Sequence, residues 1–155
     1  MIQRLSVHPF FEIAYLGASS RSAGKTYKNA TQWRLEGRCP ENVKDILVHD
    51  CSKIKLAISD SSSDFFENIP IVFSALDSRV AGDIEDTVIQ LAKKNERLVY
   101  VISNASNFRM HSDVPLLIPE VNPHHLEVVQ NKRQAIITNP NCCAIPFSLA
   151  LAPLH

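Results

Sequence analysis

Glycine is scarce in this sequence. Only four occur in 155 residues, at 17, 24, 37 and 82, and none of them form a G-x-G-x-x-G turn. Such a turn needs glycine where backbone amides must approach a pyrophosphate, so these residues contain no glycine-rich dinucleotide turn. Net charge is missing too, with 16 basic residues against 16 acidic; no global field draws in nucleic acid or an anionic membrane. The longest mostly apolar stretch, Ala144 to Leu154, falls far short of the ~20 residues that span a bilayer. Met1 to Phe11 carries one arginine and lacks an apolar segment followed by a small-residue cleavage site, so no signal peptide is read. The cysteines, at 39, 51, 142 and 143, make no Cys-x-x-Cys pair, and the six histidines complete no zinc spacing. Neither a metal site nor a disulfide framework is expected, and the cytoplasm is the default compartment.

What is present is an ordinary globular composition, 45% hydrophobic, over one domain's length. Phe11 to Gly17 reads as a strand after His8-Pro9, and Asp45 to Asp50 as a second. Asn68 to Leu76 is nearly continuous in apolar residues, as a strand buried on both faces would be. Val80, Ile84, Val88, Ile89, Leu91 and Ala92 repeat at helical spacing, with Lys93 and Lys94 near the end. Leu98 to Ser103 and Gln134 to Thr138 are further strands, and Cys142 to Leu151 reads as a helix. Strand and helix in alternation predict an α/β fold with a parallel sheet flanked by helices. Small and polar residues sit at the strand ends, where open α/β sheets bind ligands: Gly17-Ala-Ser-Ser20, Ser74-Ala-Leu76 and Ser103-Asn-Ala-Ser106. On this reading alone, a small α/β domain that never had a glycine turn stays open.

Thr138-Asn-Pro-Asn-Cys-Cys143 puts a cysteine after a strand and a turn, at the start of an apolar helix. Unpaired amides and the dipole at a helix N-terminus stabilise a thiolate, and the same amides can hold an oxyanion. Cysteine is also among the residues most often buried as simple packing, so from the residues alone both readings of Cys142 stand. Cys143, further round the helix, is expected to pack, as are Cys39 and Cys51.

In order along the chain stand Gly17-Ala-Ser-Ser-Arg-Ser-Ala-Gly-Lys25, Ile71-Val-Phe-Ser-Ala-Leu76, Ser103-Asn-Ala-Ser106, Arg109-Met110, Asp113-Val-Pro-Leu-Leu-Ile-Pro-Glu-Val-Asn-Pro123 and Thr138-Asn-Pro-Asn-Cys142. The ordered set resembles aspartate-semialdehyde dehydrogenase of the fungal and archaeal type, from about residue 9 onward. The resemblance implies reductive dephosphorylation of aspartyl phosphate with NADPH, giving aspartate semialdehyde and phosphate on the route to lysine, methionine and threonine. It implies Cys142 as the nucleophile that forms a thioester. Ser19, Ser20, Arg21 and Ser22 become contacts to the ribose and 2′-phosphate of NADP, which suits a guanidinium among hydroxyls. Ser74, Ala75 and Leu76 match the loop beneath the cofactor, although Asp77 stands where many relatives carry proline. Asn104 and Arg109 match positions that hold the substrate phosphate, a surface ion pair being the plainer reading of Arg109.

The fold implied is an incomplete Rossmann-like sheet lacking its first strand and glycine-rich turn, with Met1 to His8 as the second half of the helix that follows. Residues 1–141 are expected to form a partial NADP-binding domain. Residues 142–155 would be the nucleophile helix, leading into a catalytic and dimerisation domain outside the chain. The acid–base histidine and the carboxylate-binding arginine are expected there, and full-length members form homo-oligomers. The partners implied are small molecules, not nucleic acid or membrane. A related thioester-forming reductase, of malonyl-CoA or N-acetyl-glutamyl phosphate, is the alternative chemistry, and a non-catalytic truncated isoform the alternative class.

Overall fold

The first 54 residues build little regular structure around a short parallel pair. The computed structural model describes residues 1–54 and 69–154, in two compact units, Met1–Ala57 and Ile58–His155. The first unit runs α1 (Ile2–Leu5), β1 (Leu16–Ala18), α2 (Tyr27–Ala30) and β2 (Val48–Asp50). β1 and β2 pair in parallel from Leu16↔Val48 to Ala18↔Asp50. Both are shorter than their apolar patterns predict. Among the described residues Phe11 to Ala14 pairs with no strand, and a backbone without a ladder is not a strand. Ahead of β2, Val43 and Lys44 turn their amides back to the Pro40 carbonyl, which delays the strand.

The core of this unit is small, with Val43, Val48 and Ile54 buried. The Tyr15 ring stacks on His49 at 4.6 Å. Gly17 is required where it stands, because a Cβ there would lie 2.8 Å from the Cys51 sulfur. Burial pushes the Tyr15 hydroxyl up to about 12, with neighbouring Cys51 and Asp50 adding to it. Burial likewise pushes the Cys51 thiol up, with Asp50 a smaller cause. This thiol is disfavoured as a thiolate, in keeping with a packing role.

The second unit carries the predicted alternation. Its elements are β3 (Ile71–Ser74), α3 (Ser78–Lys94), β4 (Val99–Ser103), β5 (Gln134–Thr138) and α4 (Ala144–Leu151), with a 3-10 stretch at Pro123–Val129 that the sequence pattern did not mark. The sheet order is β3-β4-β5, all parallel. Ser74, Ser103 and Thr138 share one register line across it. β3 begins later than predicted, and Asn68 lies outside the described residues.

α3 forms where the helical repeat predicts it. Asp77 caps it by accepting from the Arg79 amide at 2.9 Å, an acid at the N-cap serving as the signal that starts the helix. Its buried face is Ala81, Glu85, Val88, Ile89 and Ala92, four of them small or aliphatic. That face packs on β4 and β5, whose Val99, Val101, Ala135 and Ile136 are buried. At about 25 cal/mol per Å² of apolar surface, such side chains supply most of the favourable energy. Among the described residues, no helix is long and apolar enough to cross a membrane.

Candidate functional site

Parallel strands put all their carboxyl ends on one edge, so the loops after β3, β4 and β5 meet by topology. After β3 come buried Ser74, exposed Ala75 and half-buried Leu76. The Ser74 hydroxyl is buried without a hydrogen-bond partner among the described residues. The ladder then continues past the strands. The Asn104 amide donates to the Ser74 carbonyl at 3.0 Å, and the Asn139 amide to the Ser103 carbonyl at 3.2 Å.

The loop after β4 closes on itself. Arg109 Nη2 donates to the Asn104 carbonyl at 2.8 Å, while Arg109 Nε is buried with no partner among the described residues. Arg109 therefore makes no surface ion pair among the described residues, unlike the plainer reading of the sequence. Its guanidinium is held at one side by a neutral carbonyl, and its charge is uncompensated by any carboxylate there. The loop is fastened to α3 from outside by Asn107 Nδ2, donating to the Ser78 carbonyl at 3.0 Å. That approach depends on Gly82, where a Cβ would fall 2.7 Å from Asn107 Nδ2.

The end of β5 is anchored tightly. The Thr138 amide and hydroxyl both donate to the Pro115 carbonyl, at 2.9 and 3.0 Å. Three residues on, the Asn141 side chain accepts from the Cys143 amide at 2.8 Å, and the Asn141 carbonyl accepts from Ile145 at 3.1 Å. The Cys142 thiol reaches the Asn141 Oδ1 at 3.9 Å, a weak contact. This asparagine turn takes up Cys142, so helix α4 starts later than predicted. Cys143 is the N-cap residue, and Pro146 sits in the first turn, where its missing N–H costs least.

Cys142 is exposed, in the turn just ahead of the helix. Cys143 is exposed too, which corrects the expectation that it packs. The reason is that α4 has no buried residue at all, so it offers no packed face.

The turn after β1 belongs to the first unit. Ser19, Ser20 and Arg21 are exposed and Ser22 is half-buried. The Ser22 amide donates to the Ser19 carbonyl at 3.0 Å, and the Gly24 amide to Val48 at 2.8 Å. Gly24 takes φ +79, a conformation that disfavours side chains, and so folds the turn back on β2. Three hydroxyls and one cation with no ion pair among the described residues thus share a tight turn. That donor set fits a phosphate monoester.

Residues 1–129 match the model of the semialdehyde dehydrogenase NAD-binding domain. The chain belongs to that family. It is 46% identical to the aspartate-semialdehyde dehydrogenase of Candida albicans, over 97% of this chain and 40% of that protein. Against the enzyme of the same name from Methanothermobacter thermautotrophicus, identity is 42%, over 99% of this chain and 41% of the relative. Among solved structures, it superposes with a TM-score of 0.81 and 40% identity on the Candida albicans aspartate-semialdehyde dehydrogenase with NADP. That match covers 99% of this chain and 42% of the other. The chain thus spans about 40% of the length of the relatives it matches.

Of the residues singled out in the sequence, the second unit brings Ser74, Ala75, Leu76, Asn104, Arg109 and Cys142 to one sheet edge. Ser19 to Ser22 lie in the other unit. Sequence reasoning missed Asn141 as the organiser of the cysteine turn. The signal was present, because asparagine two residues before a helix cap is a turn former. It also missed Glu85, although the helical repeat places it on one face with Ala81, Val88, Ile89 and Ala92.

Proposed function

We propose that this chain is the cofactor-binding and nucleophile-bearing part of an NADP-dependent aspartate-semialdehyde dehydrogenase working in the cytoplasm. Residues 1–141 would bind cofactor, and 142–155 would lead into the catalytic and dimerisation domain of a homo-oligomer. The observation that carries this reading is an exposed thiol, Cys142, at the same sheet edge as Arg109, whose Nε is buried without a hydrogen-bond partner among the described residues. A nucleophile next to an anion site is what an acyl phosphate substrate requires. Cys142 sulfur attacks the acyl carbon, the carbon–oxygen bond to phosphate breaks, and inorganic phosphate leaves with the bonding pair. Arg109 and Asn104 hold the phosphoryl group during that exchange, since a planar guanidinium matches its oxygens.

Arg21 with Ser19, Ser20 and Ser22 would hold the 2′-phosphate of NADPH, and Ser74, Ala75 and Leu76 would support it beneath. When bound, this cofactor supplies the hydride that reduces the acyl group to the aldehyde. Phosphate-dependent NADP reduction with aspartate semialdehyde tests the reading, on a chain extended at both ends to the length of its relatives. Cys142→Ser should lower the rate by at least about 10³-fold, as loss of an essential nucleophile does. A serine variant with near-parental turnover would refute a cysteine thioester.

A further inference from the structure

Glu85 sits on the buried face of α3 at 1% exposure, among small and aliphatic residues. Burying a carboxylate in such a place is costly unless something requires it. Its Oε1 accepts from the Ser103 hydroxyl at 2.7 Å, while its Oε2 is buried with no partner among the described residues. Half of the group's acceptor capacity is therefore unused, and a leucine would stabilise this helix face better. The bond to Ser103 does not end there. Ser103 Oγ in turn accepts from the Ala105 amide at 3.1 Å.

That amide shares a rigid, planar peptide unit with the Asn104 carbonyl. The carbonyl is the acceptor for Arg109 Nη2 at 2.8 Å. A continuous chain of hydrogen bonds thus runs from the buried carboxylate, through a hydroxyl and one peptide plane, to the guanidinium. By donating to a carboxylate, the Ser103 hydroxyl is held in one rotamer and polarised, which strengthens it as an acceptor. The outer fastening of the same loop, Asn107 to Ser78, is exposed, and water competes for it. The inner one is dry.

We infer that Glu85 is a positioning residue which, through Ser103 and the Asn104–Ala105 peptide, sets the orientation of the Arg109 guanidinium toward its anion. The inference rests on the reading of Arg109 as a phosphate contact. The reaction scheme does not otherwise involve Glu85, which touches no substrate.

The test uses the 155-residue chain, labelled with ¹⁵N, and inorganic phosphate as the probe. Glu85→Leu and Ser103→Ala each remove the relay. Glu85→Gln retains an acceptor oxygen. Phosphate affinity is followed at the Arg109 Nε–H resonance, alongside hydrogen exchange of the Ala105 amide. Glu85→Leu and Ser103→Ala should each weaken phosphate binding and speed Ala105 exchange about ten-fold, the scale of one lost oriented hydrogen bond. Glu85→Gln should restore both to within about three-fold of the parent. A folded Glu85→Leu chain with parental Ala105 exchange overturns the relay. So does parental phosphate affinity in that variant. If Glu85→Leu fails to fold, Ser103→Ala decides by the same two readouts. If phosphate leaves Arg109 unmoved in the parent, the phosphate-contact reading and the aim toward an anion fall together. The Ala105 exchange then decides separately whether the hydrogen-bond relay exists.

Discussion

The two units hold their polar residues in different ways. In the first, the Ser19–Ser22 turn hangs from a three-residue parallel pair, over a core of Val43, Val48 and Ile54. In the second, the loops bearing Asn104, Arg109 and Cys142 spring from a three-stranded sheet backed by a 17-residue helix. Two-stranded pairs are marginal by themselves, whereas three strands packed on a helix are not. The turn in the first unit can adapt to an anion, while the sheet edge in the second holds its groups in place. Recognition of a cofactor phosphate tolerates adaptation; attack by a sulfur on one carbon does not.

The sharpest break of that contrast would come from Arg21. Arg21→Ala should reduce the preference for NADP over NAD by about ten- to hundred-fold, one charge-assisted contact or about 1.5–3 kcal/mol. Titrating both cofactors into parent and variant measures it. An unchanged ratio would mean that the turn does not read the phosphate.

Next in size is the difference in local stability. Val101→Ala, at a position with no exposure, should destabilise the second unit by about 1.5–3 kcal/mol. Amides of β1 and β2 should exchange at free energies about 2 kcal/mol or more below those of β4. Equal protection in hydrogen exchange would mean that the chain opens as one piece.

A smaller effect should separate the two cysteines. Both are exposed, so access alone does not distinguish them. Cys142, in the turn ahead of the cap, should react with limiting iodoacetamide several-fold faster than Cys143. Peptide mapping reads the ratio, and faster labelling of Cys143 would move the nucleophile by one residue.

The smallest effect is electrostatic. The Arg79 side chain, then the Arg79 amide, hold the exposed Asp77 carboxyl down at about 2, from an ordinary 3.8. A depressed carboxyl stabilises the fold above its unfolded value, and that contribution is lost as pH falls toward about 2. In Arg79→Ala, an NMR titration should find Asp77 moved up toward 3.8. A midpoint unmoved by the substitution would show that the helix start alone holds it down.

Much of this was legible along the chain. β5 occupies Gln134–Thr138 as predicted, because a buried central run between polar neighbours leaves little freedom of boundary. α3 follows its 3.6-residue repeat for the same reason. β1 and β2 came out shorter, since a strand's length is set by its partner and not by its own apolar residues. The cysteine turn was misplaced by two residues because Asn141 competes, through its side chain, for an amide that a helix would use.

The apolar pattern and the ordered motifs determined the α/β class, the family, and which loops carry Cys142, Arg109 and Arg21. These depend on local spacing, which any chain exposes to inspection. Only the tertiary structure decided that Cys143 lies open and that Glu85 lies buried against Ser103. Both follow from which helix face meets a sheet. No residue of α4 is buried, and α3 turns one acidic side chain inward with its aliphatic neighbours. The repeat places Glu85 on the aliphatic face of α3, but its bond to Ser103 is a contact between distant segments, and no periodicity within a single helix records that.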